Sequence, residues 1–295
     1  MQNLETEATN ASKYLSLVAR EAEEKFNEHL PVATDAPFKL HEAMRYSMFA
    51  GGKRLRPALA YAAFELFGGK GDSIWYASSA LEMLHTFSLI HDDLPCIDND
   101  DFRRGKATAH KQFGEGTAVL AGDALCILAF ELMAKTRKVN AIETLAKALG
   151  SYGMIGGEIT DIESEGKEVN LETVEYIHYH KTAALIEASL MVGAQLADAS
   201  DADIKKIQQF GKAIGLAFQV VDDILDIVST TEELGKDAGS DLEKRKATYP
   251  AIIGLEASRE KAHAFYEEAI EILKQLPGDT SVLRSIAAYI ITRVN

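Results

Sequence analysis

The 295-residue sequence contains few of the residues that mark disulfide-rich or nucleic-acid-binding proteins. Its 2 cysteines, Cys96 and Cys126, are too few for a disulfide framework or for a zinc site with four thiolate ligands. Lys and Arg number 31 against 45 Asp and Glu, which gives a net charge of −14. Because so acidic a chain lacks the basic stripe that neutralises phosphates, we predict no nucleic-acid partner.

The sequence also has little that would target the chain to a membrane. Residues 1–15 contain neither a basic n-region nor an apolar h-region, so we predict no secretory signal peptide there. No uninterrupted apolar run approaches the roughly 20 residues that span a bilayer. These features predict a soluble cytoplasmic protein without stable membrane insertion.

Helix-breaking residues are sparse, whereas Ala, Leu and Glu recur at helical spacing. The chain has only 6 prolines, and its glycines cluster in doublets between long periodic stretches. Because alternating β-branched residues are almost absent, the pattern predicts helices rather than strands. No linker or repeat divides the chain, so we predict one all-α domain over residues 1–295. The predicted helices cover 9–29, 38–50, 57–67, 73–93, 117–136, 140–163, 171–197, 202–228, 248–275 and 279–293.

A loop over residues 93–110 interrupts the helical pattern and concentrates charge. The acidic residues of this loop, together with Asp92 directly before it, are Asp92, Asp93, Asp98, Asp100 and Asp101. Carboxylates this close raise one another's pKa values, and a hard cation such as Mg²⁺ removes the conflict. Pro95 ends the preceding helix and allows the chain to bring Asp98 back beside Asp92. The alternative is a solvated acidic loop.

A second acidic motif, FQVVDDILD at residues 218–226, strengthens the metal-binding interpretation. Asp222 and Asp226 are four residues apart and therefore share one helix face. Asp223 points elsewhere and could bond a neighbouring residue. An acidic pair on an amphipathic helix is usually solvent-facing, but two such motifs in one chain predict two metal sites that face each other.

Basic residues accompany both acidic motifs. They are Lys53, Arg54, Arg56, Arg103, Arg104, Lys181, Lys236 and Lys246. The first three follow Gly51-Gly52 at a predicted helix start, where free backbone N–H groups favour anions. Any one of them would be an ordinary surface charge. Together with metal ions bound by the carboxylates, these basic residues predict a cavity that binds polyphosphate. Their number is sufficient for two phosphorylated ligands.

Six segments, in this order, resemble the short-chain trans-prenyl diphosphate synthases, most closely the bacterial farnesyl diphosphate synthases. They are GGKRLRP, SLIHDDLPCIDNDDFRRG, LAGDA, HKTAALI, FQVVDDILD and GKDAGSDLEKRKATYP. The resemblance implies an isoprenoid-synthase-type helical bundle around a central active-site cavity. It also implies a homodimer that joins an allylic diphosphate to isopentenyl diphosphate. The implied cofactor is Mg²⁺, with three ions around bound diphosphate and Mn²⁺ able to substitute.

The resemblance further implies roles for individual residues. The metal ligands would be Asp92, Asp98 and Asp222, with Asp226 in the outer shell. The allylic diphosphate would be bound by Arg103, Lys181, Thr182, Gln219, Lys236 and Lys246; of these, Thr182 and Gln219 would lie beside the developing cation. Isopentenyl diphosphate would be held by Lys53, Arg56, His85 and Arg104. Two departures from the family's pattern, Ala183 and Ala247, remove no charged group.

Phe87 and Ser88 are the candidates for setting product length. Phe87 precedes Asp92 by five residues, so on a helix it lies about 7–8 Å below the metal. In the resembling family, an aromatic residue at this position accompanies C15 products. The stretch LPCIDNDD at 94–101 also resembles plant-type C20 enzymes, which carry a smaller side chain in place of Phe87. We therefore predict farnesyl diphosphate, with geranylgeranyl or geranyl diphosphate as the alternative.

Other classes of function account for fewer of these residues. A terpene cyclase would share the fold and the first motif but would need no isopentenyl diphosphate site. A metal-dependent phosphohydrolase would use the His91-Asp92 pair, with Asp222 as a distant partner. A di-iron bundle would need a second E-x-x-H besides Glu82 and His85. A non-catalytic subunit of a heteromeric synthase would be expected to lack one of the two Asp motifs.

Overall fold

The structure is a computed structural model, and it describes residues 2–228 and 246–294. Within these residues the helices are α1 (Gln2–His29), α2 (Phe38–Met48), α3 (Leu55–Leu66), α4 (Ser73–Asp92), α5 (Ala109–Phe113), α6 (Glu115–Lys135), α7 (Val139–Leu149), α8 (Met154–Ser164), α9 (Leu171–Ile177), α10 (Ala184–Leu196), α11 (Asp201–Val228), α12 (Tyr249–Ile253), α13 (Leu255–Leu273) and α14 (Ser281–Ile291). A π-helix, His178–Ala183, joins α9 to α10, and a 3₁₀ turn, Thr292–Val294, follows α14. The predicted all-α fold class is confirmed.

These elements form two compact units. The first comprises Met1–Tyr14, Leu59–Lys70 and Asn140–Asn295. The second comprises Leu15–Ala58 and Gly71–Val139. The interpretation of residues 1–295 as one domain stays a prediction.

The second unit is organised around α4, which is buried along most of its length. It packs against α6 and α2. The buried face of α6 consists mainly of small residues, among them Ala118, Ala121, Gly122 and Ala129, and this allows the two helix backbones to approach closely. The packing of α4 against α6 fixes the C-terminal end of α4, where the first acidic motif begins.

Three large apolar residues of α6 are exposed, beside the exposed carboxylates of Asp123 and Glu131. Val119, Leu120 and Ile127 have exposed fractions of 38%, 59% and 71%. By length and composition alone, α6 is apolar enough to cross a membrane, although a core helix of a soluble protein passes the same test. Asp123 and Glu131 interrupt the apolar sequence of this helix, so it contains no uninterrupted apolar run of spanning length. The absence of stable membrane insertion stays a prediction.

The first unit is organised around α11, which packs against α10, the π-helix, α13 and α14. Two glycines permit the close approach on one side. A Cβ at position 211 would lie 2.7 Å from Cα of Glu187, and one at position 215 would lie 2.7 Å from Cβ of Ala183. The C-terminal half of α11 is anchored by a buried cluster that includes Val220, Val221, Ile224 and Tyr249. This packing holds the second acidic motif.

Two of the predicted helices are divided in the structure. The segment predicted as one helix over 140–163 forms α7 and α8, separated by residues 150–153. The segment 248–275 forms α12 and α13, which meet at Gly254. Gly254 has φ +83°, a left-handed conformation that glycine adopts without steric cost. Single glycines inside a periodic stretch were therefore helix boundaries that periodicity alone did not reveal.

The acidic loop contains a small ribbon that the sequence analysis missed. Phe102–Arg103 pairs antiparallel with Lys106–Ala107. Arg104 and Gly105 connect the strands with φ +53° and +74°. Positive φ at both central residues is what a type I′ hairpin turn requires. The ribbon projects Arg103 and Arg104 from adjacent positions in different directions.

Candidate active site

The first acidic motif begins where α4 ends, at Asp92. The chain then turns around Pro95, and the backbone N–H of Asp98 donates to the carbonyl of Asp92 with N···O 2.8 Å. Asn99 closes the same turn by donating to the carbonyl of Leu94, at φ +56°. The prediction that the chain brings Asp98 back beside Asp92 is confirmed at the backbone.

Asp93 and Arg103 form a charged pair beneath this turn. Nε and Nη2 of Arg103 lie 2.7 and 2.6 Å from Oδ1 of Asp93. Nη2 of Arg103 also lies 3.6 Å from Asp100. Burial raises the pKa of the Asp93 carboxyl, and the hydrogen bond from Arg103 opposes that rise. Sequence reasoning gave Asp93 no role, and it placed Arg103 on the allylic diphosphate, which stays a prediction.

Magnesium fits the oxygen ligands of this turn. Asp92 and Asp98 are half-buried, so their side chains retain access to solvent. Among residues 2–228 and 246–294, no three His, Cys, Asp or Glu side chains form a ready-made metal site. However, Mg²⁺ in phosphate-binding sites uses only one or two carboxylates, with phosphate oxygens and waters completing its shell. Asp92 and Asp98 would therefore hold Mg²⁺ jointly with a bound diphosphate.

His85 lies on α4, before the acidic motif, and basic residues from other segments lie near it. Burial, followed by the positive charges of Arg56 and Arg104, holds the pKa of the His85 imidazole well below its usual range. The structure thus brings together three of the four residues predicted to bind isopentenyl diphosphate. Positive charges beside an imidazole whose pKa is lowered are suited to an anionic ligand.

Glycine at position 52 makes room for part of this cluster. The Arg104 guanidinium donates to the carbonyl of Gly51. A Cβ at position 52 would lie 2.7 Å from Cζ of Arg104, and Gly52 has φ +128°. Lys53, the fourth predicted residue, follows directly and is exposed. Gly51-Gly52 therefore allows Arg104 to lie against the backbone that carries Lys53.

The lowered pKa of His85 predicts a specific loss of stability in acid. In the unfolded chain this histidine takes up a proton near pH 6.5, whereas the folded protein resists protonation until a lower pH. Stability is therefore lost as the pH falls below about 6.5. We expect wild type to lose about 1 kcal/mol more unfolding free energy than His85→Gln between pH 7.5 and pH 5.5.

Urea unfolding of both proteins at the two pH values measures this difference. The other histidines are common to both proteins, so their contributions cancel. An identical pH dependence in wild type and His85→Gln would show that His85 titrates normally.

Arg54 differs from its neighbours Lys53 and Arg56, because it is 2% exposed. Its Nη1 lies 2.8 Å from Oε1 of Glu82, and its Nη2 lies 3.0 Å from Oε1 of Glu23. Nη2 also donates to the carbonyl of Met48, and Arg54 has φ +49°. Glu82 is therefore the partner of a buried guanidinium and no part of a di-iron motif. The pair fixes the backbone between Lys53 and Arg56.

The π-helix carries Lys181 and Thr182. Gly157 of α8 allows the close approach of this segment, since a Cβ there would lie 2.8 Å from the carbonyl carbon of His180. Lys181 Nζ lies 2.7 Å from Asp161 Oδ2 and 2.8 Å from Glu158 Oε2. Thr182 is half-buried.

Asp161 also contacts a second lysine among the residues predicted to bind the allylic diphosphate. Lys246 Nζ lies 3.5 Å from the same Oδ2. The sequence analysis missed Asp161 and Glu158, although their spacing of three residues on a predicted helix indicates a shared face. These carboxylates orient Lys181 and Lys246, and a diphosphate would compete with them for both ammonium groups.

Asp222 and Asp226 of the second motif have different surroundings. Asp222 is 39% exposed, and its Oδ1 lies 2.9 Å from Nη1 of Arg293. At this exposure the Asp222 carboxylate remains accessible to a metal ion. Asp226 is 2% exposed. The predicted metal role of Asp222 fits this geometry, and the outer-shell role of Asp226 stays a prediction.

Asp223 joins three segments of the first unit. Its carboxylate accepts from the backbone N–H of Tyr249 at 2.9 Å and from Nε2 of Gln219 at 3.1 Å. Nε2 of His178 lies 3.2 Å from Oδ2 of Asp223. The prediction that Asp223 points away from Asp222 and bonds neighbouring residues is confirmed by these contacts. The bond also fixes Gln219, which is predicted to lie beside the developing cation.

Lys236 lies outside the described residues. The same holds for most of the motif GKDAGSDLEKRKATYP at residues 235–250, of which only residues 246–250 are described.

Phe87 is buried on α4, four residues before His91. The two rings are edge to face, with centroids 5.0 Å apart and an interplanar angle of 79°. The hydroxyl of Ser88 donates to the carbonyl of His85 at 2.9 Å, so it is directed along the helix backbone. The chain-length roles of Phe87 and Ser88 stay predictions.

Comparison with known proteins gives matches over nearly the whole chain. The profile of the polyprenyl synthetase family matches residues 37–290. A relative from Arabidopsis thaliana, the heterodimeric geranylgeranyl pyrophosphate synthase large subunit 1, chloroplastic, is 49% identical over 99% of this chain and 83% of its own length.

Solved structures agree with this match. An FPP/GFPP synthase from Zymomonas mobilis has a TM-score of 0.83 and 38% identity, covering 96% of this chain and 99% of that one. A geranyltransferase from Helicobacter pylori, complexed with magnesium and isoprenyl diphosphate, has a TM-score of 0.82 and 35% identity, covering 95% and 97%.

Proposed function

The chain belongs to the polyprenyl synthetase family and is a prenyltransferase, and we propose that its main product is farnesyl diphosphate. It joins isopentenyl diphosphate first to dimethylallyl and then to geranyl diphosphate. The observation that supports a C15 product is the buried ring of Phe87, which lies five residues before Asp92 on α4. A hydrocarbon tail that grows along α4 from Asp92 meets this ring after about 7–8 Å.

Two groups of residues bind the phosphates. Isopentenyl diphosphate is held by Lys53, Arg56, His85 and Arg104. For the allylic diphosphate, the family resemblance assigns Arg103, Lys181 and Lys246. Guanidinium groups can contact two phosphate oxygens at once, which orients the ligand as well as attracting it.

Asp92, Asp98 and Asp222 are the metal ligands in this proposal. Family members depend on Mg²⁺, and the Helicobacter pylori relative is complexed with it. When bound, the metal supplies positive charge that stabilises the departing diphosphate. Three ions would accompany the bound diphosphate, and Mn²⁺ would be able to replace Mg²⁺.

Different polar side chains stabilise the negative and the positive charge that develop during the reaction. Cleavage of the allylic C–O bond leaves negative charge on the diphosphate, which the preoriented ammonium groups of Lys181 and Lys246 stabilise. The oxygen atoms of Thr182 and Gln219 offer dipoles to the positive charge on the hydrocarbon. Isopentenyl diphosphate is positioned so that its double bond attacks this carbon. The proton lost in forming the new double bond passes to the released diphosphate.

A cytoplasmic homodimer is part of the proposal. The exposed apolar side chains of Val119, Leu120 and Ile127 on α6 support a subunit contact, because such a contact would remove them from water. Both cysteines are free thiols, as is usual in a reducing compartment.

A product assay tests the function. Purified protein is incubated with Mg²⁺, isopentenyl diphosphate and, separately, C5, C10 and C15 allylic diphosphates, and products are identified by mass spectrometry. A terminal C15 diphosphate supports the proposal. A C20 product, which the names of the plant relatives favour, would retain the reaction and remove Phe87 as its limit. Release of phosphate or of a cyclic hydrocarbon, without condensation, would overturn the condensation itself.

Replacing Phe87 by Ala should lengthen the product. Removal of the ring opens the path along α4, so we expect C20 diphosphate to replace C15 as the main product. Mass spectrometry of the products measures the change. Phe113→Ala is the matched control, because Phe113 is equally buried, at 9% exposure, and its ring is edge to face with Tyr46. Unchanged product length in Phe87→Ala would place the limit elsewhere.

A further inference from the structure

We propose that His91 and Gly122 are positioning residues that hold Phe87 in place and thereby determine product length. The inference rests on the proposed function, in which the Phe87 ring stops chain growth. It adds that the position of this ring depends on a glycine of α6 that lies outside the acidic motif. Neither His91 nor Gly122 is assigned to substrate or metal.

His91 connects Phe87 to α6. Its imidazole is edge to face with the Phe87 ring at 5.0 Å, on the same face of α4. Its Nε2 lies 3.1 Å from the carbonyl oxygen of Val119. Because a carbonyl can only accept, Nε2 carries the proton. The imidazole is therefore held by α6 on one side and supports the Phe87 ring on the other.

Gly122 provides the space that the imidazole occupies. A Cβ built at position 122 would lie 2.6 Å from Cδ2 of His91, well inside van der Waals contact, and it would meet Nε2 still more closely. The obstructing atoms are the end of a side chain and not backbone. A methyl group would therefore displace the imidazole while leaving α4 and α6 in place.

The displacement would affect Phe87. Once the imidazole leaves its position it loses the Val119 carbonyl, and the Phe87 ring loses its edge-to-face partner. Such aromatic pairs contribute modestly but measurably to the preference for one ring position. A ring with more than one position blocks the tail less completely, so longer products are expected.

Gly122→Ala, compared with Gly116→Ala, tests the inference. Both substitutions add one methyl group to α6, but a Cβ at position 116 meets nothing within 4 Å. We expect Gly122→Ala to raise the ratio of C20 to C15 product by about three- to tenfold, as loss of one aromatic pair implies. Gly116→Ala should keep the wild-type ratio. A structural defect alone would lower the rate without changing this ratio.

A double substitution tests whether the effect passes through Phe87. In a Phe87→Ala background the ring is absent, so adding Gly122→Ala should change the product ratio no further. If Gly122→Ala fails to fold, His91→Ala removes the same aromatic partner without a collision and should lengthen the product in the same way.

The outcomes separate this inference from the proposed function. If wild type makes C15 and Phe87→Ala makes C20, but neither Gly122→Ala nor His91→Ala changes the ratio, only the inference is overturned. An additive effect in the double variant would overturn it also, since the glycine would then act independently of Phe87. If wild type makes no C15 product, the proposed product is overturned first.

Discussion

Asp92→Ala is expected to lower the rate of condensation by at least about 1,000-fold while the fold stays intact. Asp92 is the last residue of α4, and its backbone carbonyl accepts a hydrogen bond from the N–H of Asp98. The two carboxylates therefore belong to the same turn. Removal of a carboxylate that holds a catalytic metal costs several kcal/mol of transition-state stabilisation. Each 1.36 kcal/mol corresponds to a factor of ten in rate. The measurement is turnover with isopentenyl and geranyl diphosphate at saturating Mg²⁺.

Asp101→Ala is the matched control for this change. Asp101 belongs to the same acidic cluster, but its side chain is 59% exposed and lies 2.7 Å from Nζ of Lys111. A surface pair of this kind contributes little, so activity should remain close to that of wild type. Circular dichroism and thermal unfolding confirm the fold of both variants. Nearly normal turnover in Asp92→Ala would remove Asp92 from the metal site.

Glu82→Ala should cause the largest loss of stability, about 3–5 kcal/mol in the free energy of unfolding. The Glu82 and Arg54 side chains are 2% and 1% exposed. Removing the carboxylate leaves a buried guanidinium with less compensation for its charge. Urea unfolding measures the effect through the midpoint at constant m value.

Glu23→Ala provides the comparison, because Glu23 contacts the same guanidinium but its side chain is 44% exposed. Its loss should cost about 1 kcal/mol or less, since water can replace its carboxylate. Equal costs for the two substitutions would mean that burial does not distinguish the two pairs.

The helical fold and the first acidic turn could be predicted because both depend on local sequence. Apolar periodicity indicated α4 and α11 within a few residues of their observed bounds. Pro95 cannot continue a helix, and this local rule predicted the return of Asp98 to Asp92. The spacing of Asp222 and Asp223 likewise indicated that they face different neighbours.

The partners of buried charges could not be predicted, because they come from distant segments. Nothing near Arg54 in the sequence indicates that it is buried against Glu82, 28 residues away. Arg293, near the C-terminal end of the described residues, contacts Asp222 of α11, and no local pattern marks this pairing. Asp161 is similar, since only the folded chain shows that it lies beside Lys181 and Lys246.

The π-helix at His178–Ala183 makes its part of the chain sensitive to changes in length. A π-turn accommodates one residue more than an α-turn, as a single-residue insertion in an ancestral helix would. Deleting one codon here would close the turn and rotate one flank against the other by about 100°. Either Lys181 would turn away from Asp161, or Ala183 would turn away from Gly215. Natural variation in this stretch should therefore consist of substitutions, with insertions and deletions confined to surface loops.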